Sequence, residues 1–166
     1  MKIVYLGIGT NLGNREENLK QAVTRIKEYI GPVLKSSSVY ETAPWGFESN
    51  DEFLNMVVQV ETKLIPSGLL GRLLMIESLL GRVREEKRYS SRLIDIDILL
   101  YGDLIVEEES LTIPHPLLHE RKFVLVPLCE IASDVIHPVF GKTLAELLGE
   151  CKDESEVKKY FAPQPP

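Results

Sequence analysis

Cysteine is scarce in this chain: 166 residues contain two, Cys129 and Cys151, with no metal-ligand spacing. That excludes a disulfide framework and points to free thiols in a reducing cytoplasm. Long apolar runs are also lacking. No stretch approaches the roughly 18 apolar residues of a spanning helix. The apolar segment Ile3 to Gly9 has no small-residue cleavage site behind it, so it reads as a first strand rather than a signal peptide. Positive charge is in deficit, with 19 Lys and Arg against 25 Asp and Glu, a formal net charge of -6. A general nucleic-acid coat would need clustered basic charge, so that class falls away. A small anionic ligand on a local basic patch does not. Internal repeats and a linker between domains are absent as well. With 44% hydrophobic residues, the chain is long enough for one globular domain with a real core.

What is present reads in order. Residues 2–9 form a buried strand, and Gly9-Thr10-Asn11-Leu12-Gly13-Asn14 forms a turn. Asn14 with Glu17 three residues on predicts an N-cap and capping box. Leu19, Ala22, Val23, Ile26 and Ile30 then predict an amphipathic helix over 15–30, stopped by Gly31-Pro32. A second strand is expected over about 33–41, at an edge, because Ser36-Ser37-Ser38 lies at its centre. Along 52–62, Leu54, Met56, Val58 and Val60 alternate with Phe53, Asn55, Val57 and Gln59 as a third strand. Pro66 opens a helix with Leu69, Leu70, Leu73, Ile76 and Leu80 on its apolar face, and Gly81 ends it. A strand from Leu93 to Tyr101 completes β-α-β-β-α-β, the order of an α+β ferredoxin-like sandwich with helices on one face of an antiparallel sheet, here with C-terminal additions. Beyond residue 102, Pro114, Pro116, Pro127 and Pro138 limit helix length, and 143–149 predicts a short helix. The single domain is expected over 1–151, with a frayed polar tail over 152–166.

The sharpest chemistry is Asp95-Ile96-Asp97 inside an apolar strand. Period-two geometry puts both carboxylates on one face, roughly 6–7 Å apart along the chain. Like charges there want a cation, and Mg²⁺ takes one or two carboxylates together with substrate phosphates. Directly upstream, residues 82–92 hold Arg82, Arg84, Lys87, Arg88 and Arg92, a local +3 once Glu85 and Glu86 are subtracted. Guanidinium groups match phosphate oxygens with a fork geometry that Lys lacks. A basic loop leading into paired aspartates suits a magnesium-nucleotide site, and that loop is a candidate lid. His115 and His119 share i, i+4 spacing, but the flanking prolines fit a helical metal pair poorly. A ligand hydrogen bond suits His115, a surface role His119, and a structural role His137. Gly7, Gly9 and Gly13 do not match a dinucleotide fingerprint, and no P-loop is present. Tight turning into the first helix accounts for these glycines, and Cys129 reads as core.

These motifs together resemble the 6-hydroxymethyl-7,8-dihydropterin pyrophosphokinase family of folate biosynthesis. The resemblance covers about residues 2–150. It rests on Gly7 to Gly13, Ser38 to Gly46, Phe53-Leu54-Asn55, Glu77 to Arg84, Arg92 to Ile98, Ile113 to Pro116 and His119 to Phe123. It implies pyrophosphoryl transfer from ATP to the 6-hydroxymethyl oxygen of the reduced pterin, with release of AMP. Asp95 and Asp97 would then hold two Mg²⁺ ions, with Arg82, Arg92 and Asp97 as the catalytic set. Arg84, Arg88, Ile98, Thr112, His115 and Arg121 would bind ATP. Thr42, Ala43, Pro44, Trp45, Gly46, Phe53, Asn55 and Phe123 would form the pterin pocket, with Phe123 stacking on the ring. The implied partners are small molecules, with no nucleic acid and no membrane, and the chain is expected to be monomeric and cytoplasmic. Phe53 stands where the family commonly has Tyr, and Tyr89 where it often has Trp. Leu74 and Ser110 lie where some members use polar or basic nucleotide contacts. Two other classes stay open: a different Mg-dependent nucleotidyl or phosphoryl transferase, and a ferredoxin-like binding module for RNA or a small effector. The module fits less well, since RNA binding on such a sheet wants exposed aromatics and basic charge.

Overall fold

Alternation builds the sheet and decides its two faces. The computed structural model describes residues 1–43, 52–81 and 93–161. In β1 (Lys2–Thr10), Val4, Leu6 and Ile8 are buried toward one side, and Tyr5, Gly7 and Gly9 face the other. α1 (Arg15–Tyr29) starts where expected: Asn14 Oδ1 accepts from Glu17 N at 3.1 Å. The Glu17 carboxylate accepts from Gln21 Nε2 at 2.9 Å. α1 buries Leu19, Ala22 and Ile26. After β4 (Phe53–Thr62), Pro66 takes the first turn of α2 (Pro66–Leu79), which buries Leu69, Leu73 and Ile76 beside α1. β5 (Asp95–Tyr101) returns along the outer side of β1. Both helices cover the face that carries Val4, Leu6, Ile8, Leu54, Val58, Ile96 and Ile98.

The expected single strand over 33–41 is instead two, β2 (Val33–Ser36) and β3 (Tyr40–Thr42), both antiparallel to β4. The break has a local cause. Ser37 Oγ accepts from Val57 N at 2.9 Å, and Ser38 N donates to the Glu130 carboxylate at 2.7 Å instead of to a strand. Nor is β3 an edge. β8 (Val157–Lys159) pairs with it, giving the antiparallel order β5-β1-β4-β3-β8 with β2 also on β4. The expected fraying from Lys152 is therefore corrected: Asp153 is bonded to Lys122 N, and Val157 to Tyr160 are bonded to the sheet.

The two helices of the β-α-β-β-α-β unit lie on one face as expected, and the C-terminal additions cover the second. After a short hairpin of β6 (Val106–Glu107) and β7 (Thr112–Ile113), a 3-10 turn at Leu118–Glu120 leads into α3 (Lys122–Ala132). α3 continues through Pro127 despite its missing N–H. Proline inside a helix costs about 3 kcal/mol, and burial of Val124, Leu125 and Leu128 against Tyr5, Val57 and Leu99 outweighs it at ~1.5–3 kcal/mol each. α4 (Leu144–Glu150) closes this layer, and Thr143 with Glu146 forms a capping box. The C-terminal helices cover one end of that face and leave its other end open. No helix among the described residues is long and apolar enough to cross a membrane.

Candidate active site

The open end of the sheet is a trough whose floor is made by two missing side chains. β1 lies between β5 and β4. The register sets Gly9 opposite Asp95 on one side and Asn55 on the other, and Gly7 opposite Asp97 and Val57. A Cβ on Gly9 would lie 2.9 Å from Asn55 Oδ1, and one on Gly7 3.4 Å from the Leu99 methyls. Both glycines lie within the strand. They are spacers in the trough, not turn residues as the sequence led us to expect; only Gly13, at φ 65, serves the turn.

The cavity has a volume of about 210 Å³ and two chemically distinct ends. Asp95, Asp97 and Arg121 define the charged end, and Thr42, Ala43, Phe53, Asn55 and Phe123 the other. Asn55 is buried and oriented: its Nδ2 donates to Thr42 Oγ1 at 2.8 Å, which turns Oδ1 over Gly9 into the trough. The Arg121 guanidinium sits over the Phe123 ring at 5.6 Å, a cation–π contact that links the two ends. A larger groove of about 780 Å³ between α1, Ser36 to Val39, β4 and Lys159 to Phe161 contains neither aspartate.

The two carboxylates sit side by side on β5, as the D-x-D spacing requires. Among the described residues, no group of three or more His, Cys, Asp and Glu side chains could hold a metal ion alone. Two oxygen donors that need a phosphate and water to complete the shell fit Mg²⁺, and they do not fit a metal wanting a full protein cage. Behind them, the buried Glu77 of α2 accepts from Ile96 N at 3.0 Å, satisfying the outer edge of β5 between the two aspartates. The same alternation directs the main chain of Ile98 to that edge, while its side chain lies in the core on the opposite face.

His115 stands beside the acidic end. Its main-chain N–H donates to Leu99 O at 3.0 Å, and its ring Nδ1 accepts from Leu117 N at 3.1 Å, so the neutral ring carries its proton on Nε2. That atom is 3.9 Å from Asp97 Oδ2. Burial, then the positive charge of Arg121, lower its pKa to about 4, against the opposing pull of Asp95. At neutral pH His115 is thus an uncharged N–H donor. His119 is 3.7 Å from Glu120 and packs edge-on against Phe140; its 3-10 turn, Leu118–Glu120, excludes His115, so the helical pair is absent. His137 is buried, stacks on Phe140 and accepts from Val139 N through Nδ1, the structural role expected of it. Cys129 and Cys151 are free, and burial raises the Cys129 pKa to about 11.

The structure thus brings together Asp95, Asp97, Arg121, Thr42, Ala43, Phe53, Asn55 and Phe123, with His115 at the rim. Thr112 is exposed on β7, outside the trough. Arg82, Arg84, Arg88 and Arg92 lie outside the described residues, as do Pro44, Trp45 and Gly46 and the lid expected over 82–92. Among the family departures, Leu74 is exposed on α2. Glu77 and the spacing role of Gly7 and Gly9 had escaped sequence reasoning. Only the pairing register shows that the glycines lie across from the aspartates.

Fold and site define a ferredoxin-like domain with an aspartate-paired trough, lined by aromatic and amide side chains at one end and charged ones at the other. The family model for 7,8-dihydro-6-hydroxymethylpterin-pyrophosphokinase matches residues 5–133. The chain is 40% identical over 160 residues to the 2-amino-4-hydroxy-6-hydroxymethyldihydropteridine pyrophosphokinase of Aquifex aeolicus, covering 96% of both chains. It is 44% identical to that of Methylorubrum extorquens, covering 96% of this chain and 99% of the relative, and 46% identical to that of Bacillus subtilis over 80% of each. The crystal structure of wild-type Plasmodium falciparum HPPK-DHPS with SDX-DHP shares the fold. It has a TM-score of 0.73 and 20% identity, covering 90% of this chain and 43% of that one. The chain belongs to the 7,8-dihydro-6-hydroxymethylpterin-pyrophosphokinase family.

Proposed function

We propose that this chain uses the trough to transfer the terminal diphosphate of ATP to the 6-hydroxymethyl oxygen of 6-hydroxymethyl-7,8-dihydropterin, a step of folate biosynthesis, and that it requires Mg²⁺. The hydroxyl oxygen forms a new bond to the β-phosphorus, the bond from that phosphorus to the α,β-bridging oxygen breaks, AMP leaves and the hydroxyl proton is released. The single observation that carries this reading is the register that puts Asn55, Gly9 and Asp95 in one row. Asn55, which we assign to the ring, and Asp95, which we assign to the metal, stand on opposite sides of one glycine in that row.

The residues have separable tasks. Asn55 Oδ1 accepts from the donor-rich edge of the pterin, oriented by its bond to Thr42. Phe53 and Phe123 flank the flat ring, and Arg121, held over Phe123, reaches the phosphates. His115 donates Nε2–H to a phosphate oxygen without adding charge. Asp95 and Asp97 would hold two Mg²⁺ ions, which would supply charge neutralisation to the transferring group. Ile98 through its main chain, Thr112, Arg84 and Arg88 complete the ATP contacts, and Arg82 and Arg92 act on the transferring group. Pro44, Trp45 and Gly46 complete the pterin pocket with Ala43. Most of the acceleration then comes from positioning and electrostatics, as in phosphoryl transfer generally. We take residues 1–151 as the catalytic domain, braced by the following segment through Asp153 and Val157–Lys159, acting as a cytoplasmic monomer on small molecules, with neither nucleic acid nor membrane as partner.

The test is product analysis with ATP, Mg²⁺ and the pterin alcohol. One AMP per diphosphorylated pterin is expected, abolished by EDTA and in Asp97→Ala. Formation of ADP, release of pyrophosphate, or AMP formation without the pterin would overturn the reading.

A further inference from the structure

The family match ends at residue 133, yet the chain beyond it returns to both walls of the trough. α3 begins at Lys122, and the residue before it, Arg121, is extended at φ -116, ψ 105 and makes no side-chain cap bond. The opening N–H groups of a helix need acceptors. The Lys122 N–H finds one 31 residues further on: it donates to Asp153 Oδ2 at 3.0 Å. Asp153 is itself held, because its Oδ1 accepts from Ser155 N at 2.9 Å and from the Ser155 hydroxyl. Burial disfavours its charge, but the bonds from Ser155 and Lys122 outweigh burial, and its pKa lies below the ordinary carboxylate value.

From that point the chain crosses to the opposite wall. Val157 to Lys159 pair with Thr42 to Tyr40, and Tyr160 N donates to Val39 O at 2.8 Å. The Tyr160 hydroxyl donates to Glu16 Oε1 at 2.7 Å, and its ring lies 5.7 Å beneath the Arg15 guanidinium, which pairs with Glu41 at 2.9 Å. One strap therefore joins the start of α3, which carries Arg121 and Phe123, to β3, which carries Thr42.

We infer that Asp153 is a positioning residue for the reaction: by accepting from Lys122 N–H it fixes the first turn of α3, and so holds Arg121 and Phe123 across the trough from Asn55 and Thr42. The inference rests on the proposed activity, in which those two side chains meet substrate. Lys122 is the residue between them, so the direction of its N–H sets the course of the chain on both sides. Without the acceptor, the helix loses the bond at its first residue, and a displacement of about 1 Å at a substrate-positioning residue is enough to cost up to ~100-fold in rate.

The experiment compares Asp153→Ala, Lys122→Pro and the double variant by melting temperature and by KM and kcat for the pterin. Proline suits Lys122, because the first helical position tolerates it and the preceding residue is already extended. Asp153→Ala is expected to raise the pterin KM about ten-fold. In the Lys122→Pro background, where the N–H is gone, it is expected to change KM little. Should Asp153→Ala fail to fold, Ser155→Ala removes the hydroxyl bond to Oδ1 and is expected to raise the same KM by a smaller factor. A lowered melting temperature with wild-type pterin KM in Asp153→Ala or, in its place, Ser155→Ala would overturn the inference. So would an equal effect of Asp153→Ala in both backgrounds. Wild-type enzyme that makes no pterin-dependent AMP would instead defeat the activity on which the inference stands.

Discussion

Replacing Gly9 by alanine separates the stability of the sheet from the shape of its site. The added Cβ would lie 2.9 Å from Asn55 Oδ1, 3.9 Å from Phe53 Cδ1 and 4.0 Å from Leu54 O. Favourable non-bonded separations are about 3.5–4.0 Å, so the amide oxygen must retreat by roughly half an ångström while the other two contacts stay ordinary. It cannot retreat freely, because Nδ2 of the same amide is held by Thr42 at 2.8 Å. Overpacking of this kind costs about 1–3 kcal/mol, and alanine recovers about 0.5–1 kcal/mol over glycine in a strand. The net loss is then no more than about 2.5 kcal/mol, and the protein folds. Binding suffers more: the methyl fills the floor and the displaced oxygen no longer meets the ring edge. The pterin KM is expected to rise about 10- to 100-fold. Gly7→Ala, whose Cβ meets flexible Leu99 methyls at 3.4 Å, is expected to be milder on both counts. Calorimetric titration with the pterin alcohol and a denaturant melt measure the two effects on the same samples. A Gly9→Ala protein that binds the pterin like wild type would refute the trough geometry.

Three further outcomes follow from local geometry. A Cβ on Gly31 would lie 2.0 Å from Glu61 O, a clash with backbone rather than a movable side chain. Gly31→Ala is expected to lose at least about 3 kcal/mol in denaturant unfolding, and a loss below ~1 kcal/mol would contradict that packing. Tyr40 donates to Glu130 Oε1 at 2.6 Å; burial, then that bond and the carboxylate's charge, raise its pKa from 10.0 to about 12. A raised phenol favours the folded state below pH 10 and loses that contribution as pH rises through about 12, so Tyr40→Phe should flatten the alkaline fall in stability between those values. An unchanged slope would show that Tyr40 does not titrate there. Glu77→Leu leaves Ile96 N–H without its acceptor and is expected to destabilise by about 1–3 kcal/mol, read from the denaturation midpoint, which an unshifted midpoint would refute.

Much of this was legible in the sequence where the signal is periodic. The alternation of Phe53, Asn55 and Val57 against Leu54, Met56 and Val58 fixed which side chains face the trough, and the structure agrees. Asp95 and Asp97 share a face for the same reason. What escaped was decided by partners far along the chain. Ser37 to Val39 reads as strand until Glu130 arrives to accept from Ser38. α3 reads as proline-broken until Tyr5, Val57 and Leu99 offer it a surface to bury against. The polar composition after Lys152 hides a strand that exists because β3 offers its outer edge. Gly7 and Gly9 sit in a turn-like string of letters, and only the pairing of β1 with β4 and β5 reveals them as space. The tautomer of His115 likewise depends on Leu117 N–H, which no residue pattern announces.

The central claim is tested most directly by following the β-phosphorus. With ATP labelled at that atom and supplied with Mg²⁺ and the pterin alcohol, the label should pass wholly into the pterin product, leaving unlabelled AMP. Label recovered in ADP or in free pyrophosphate would contradict the account.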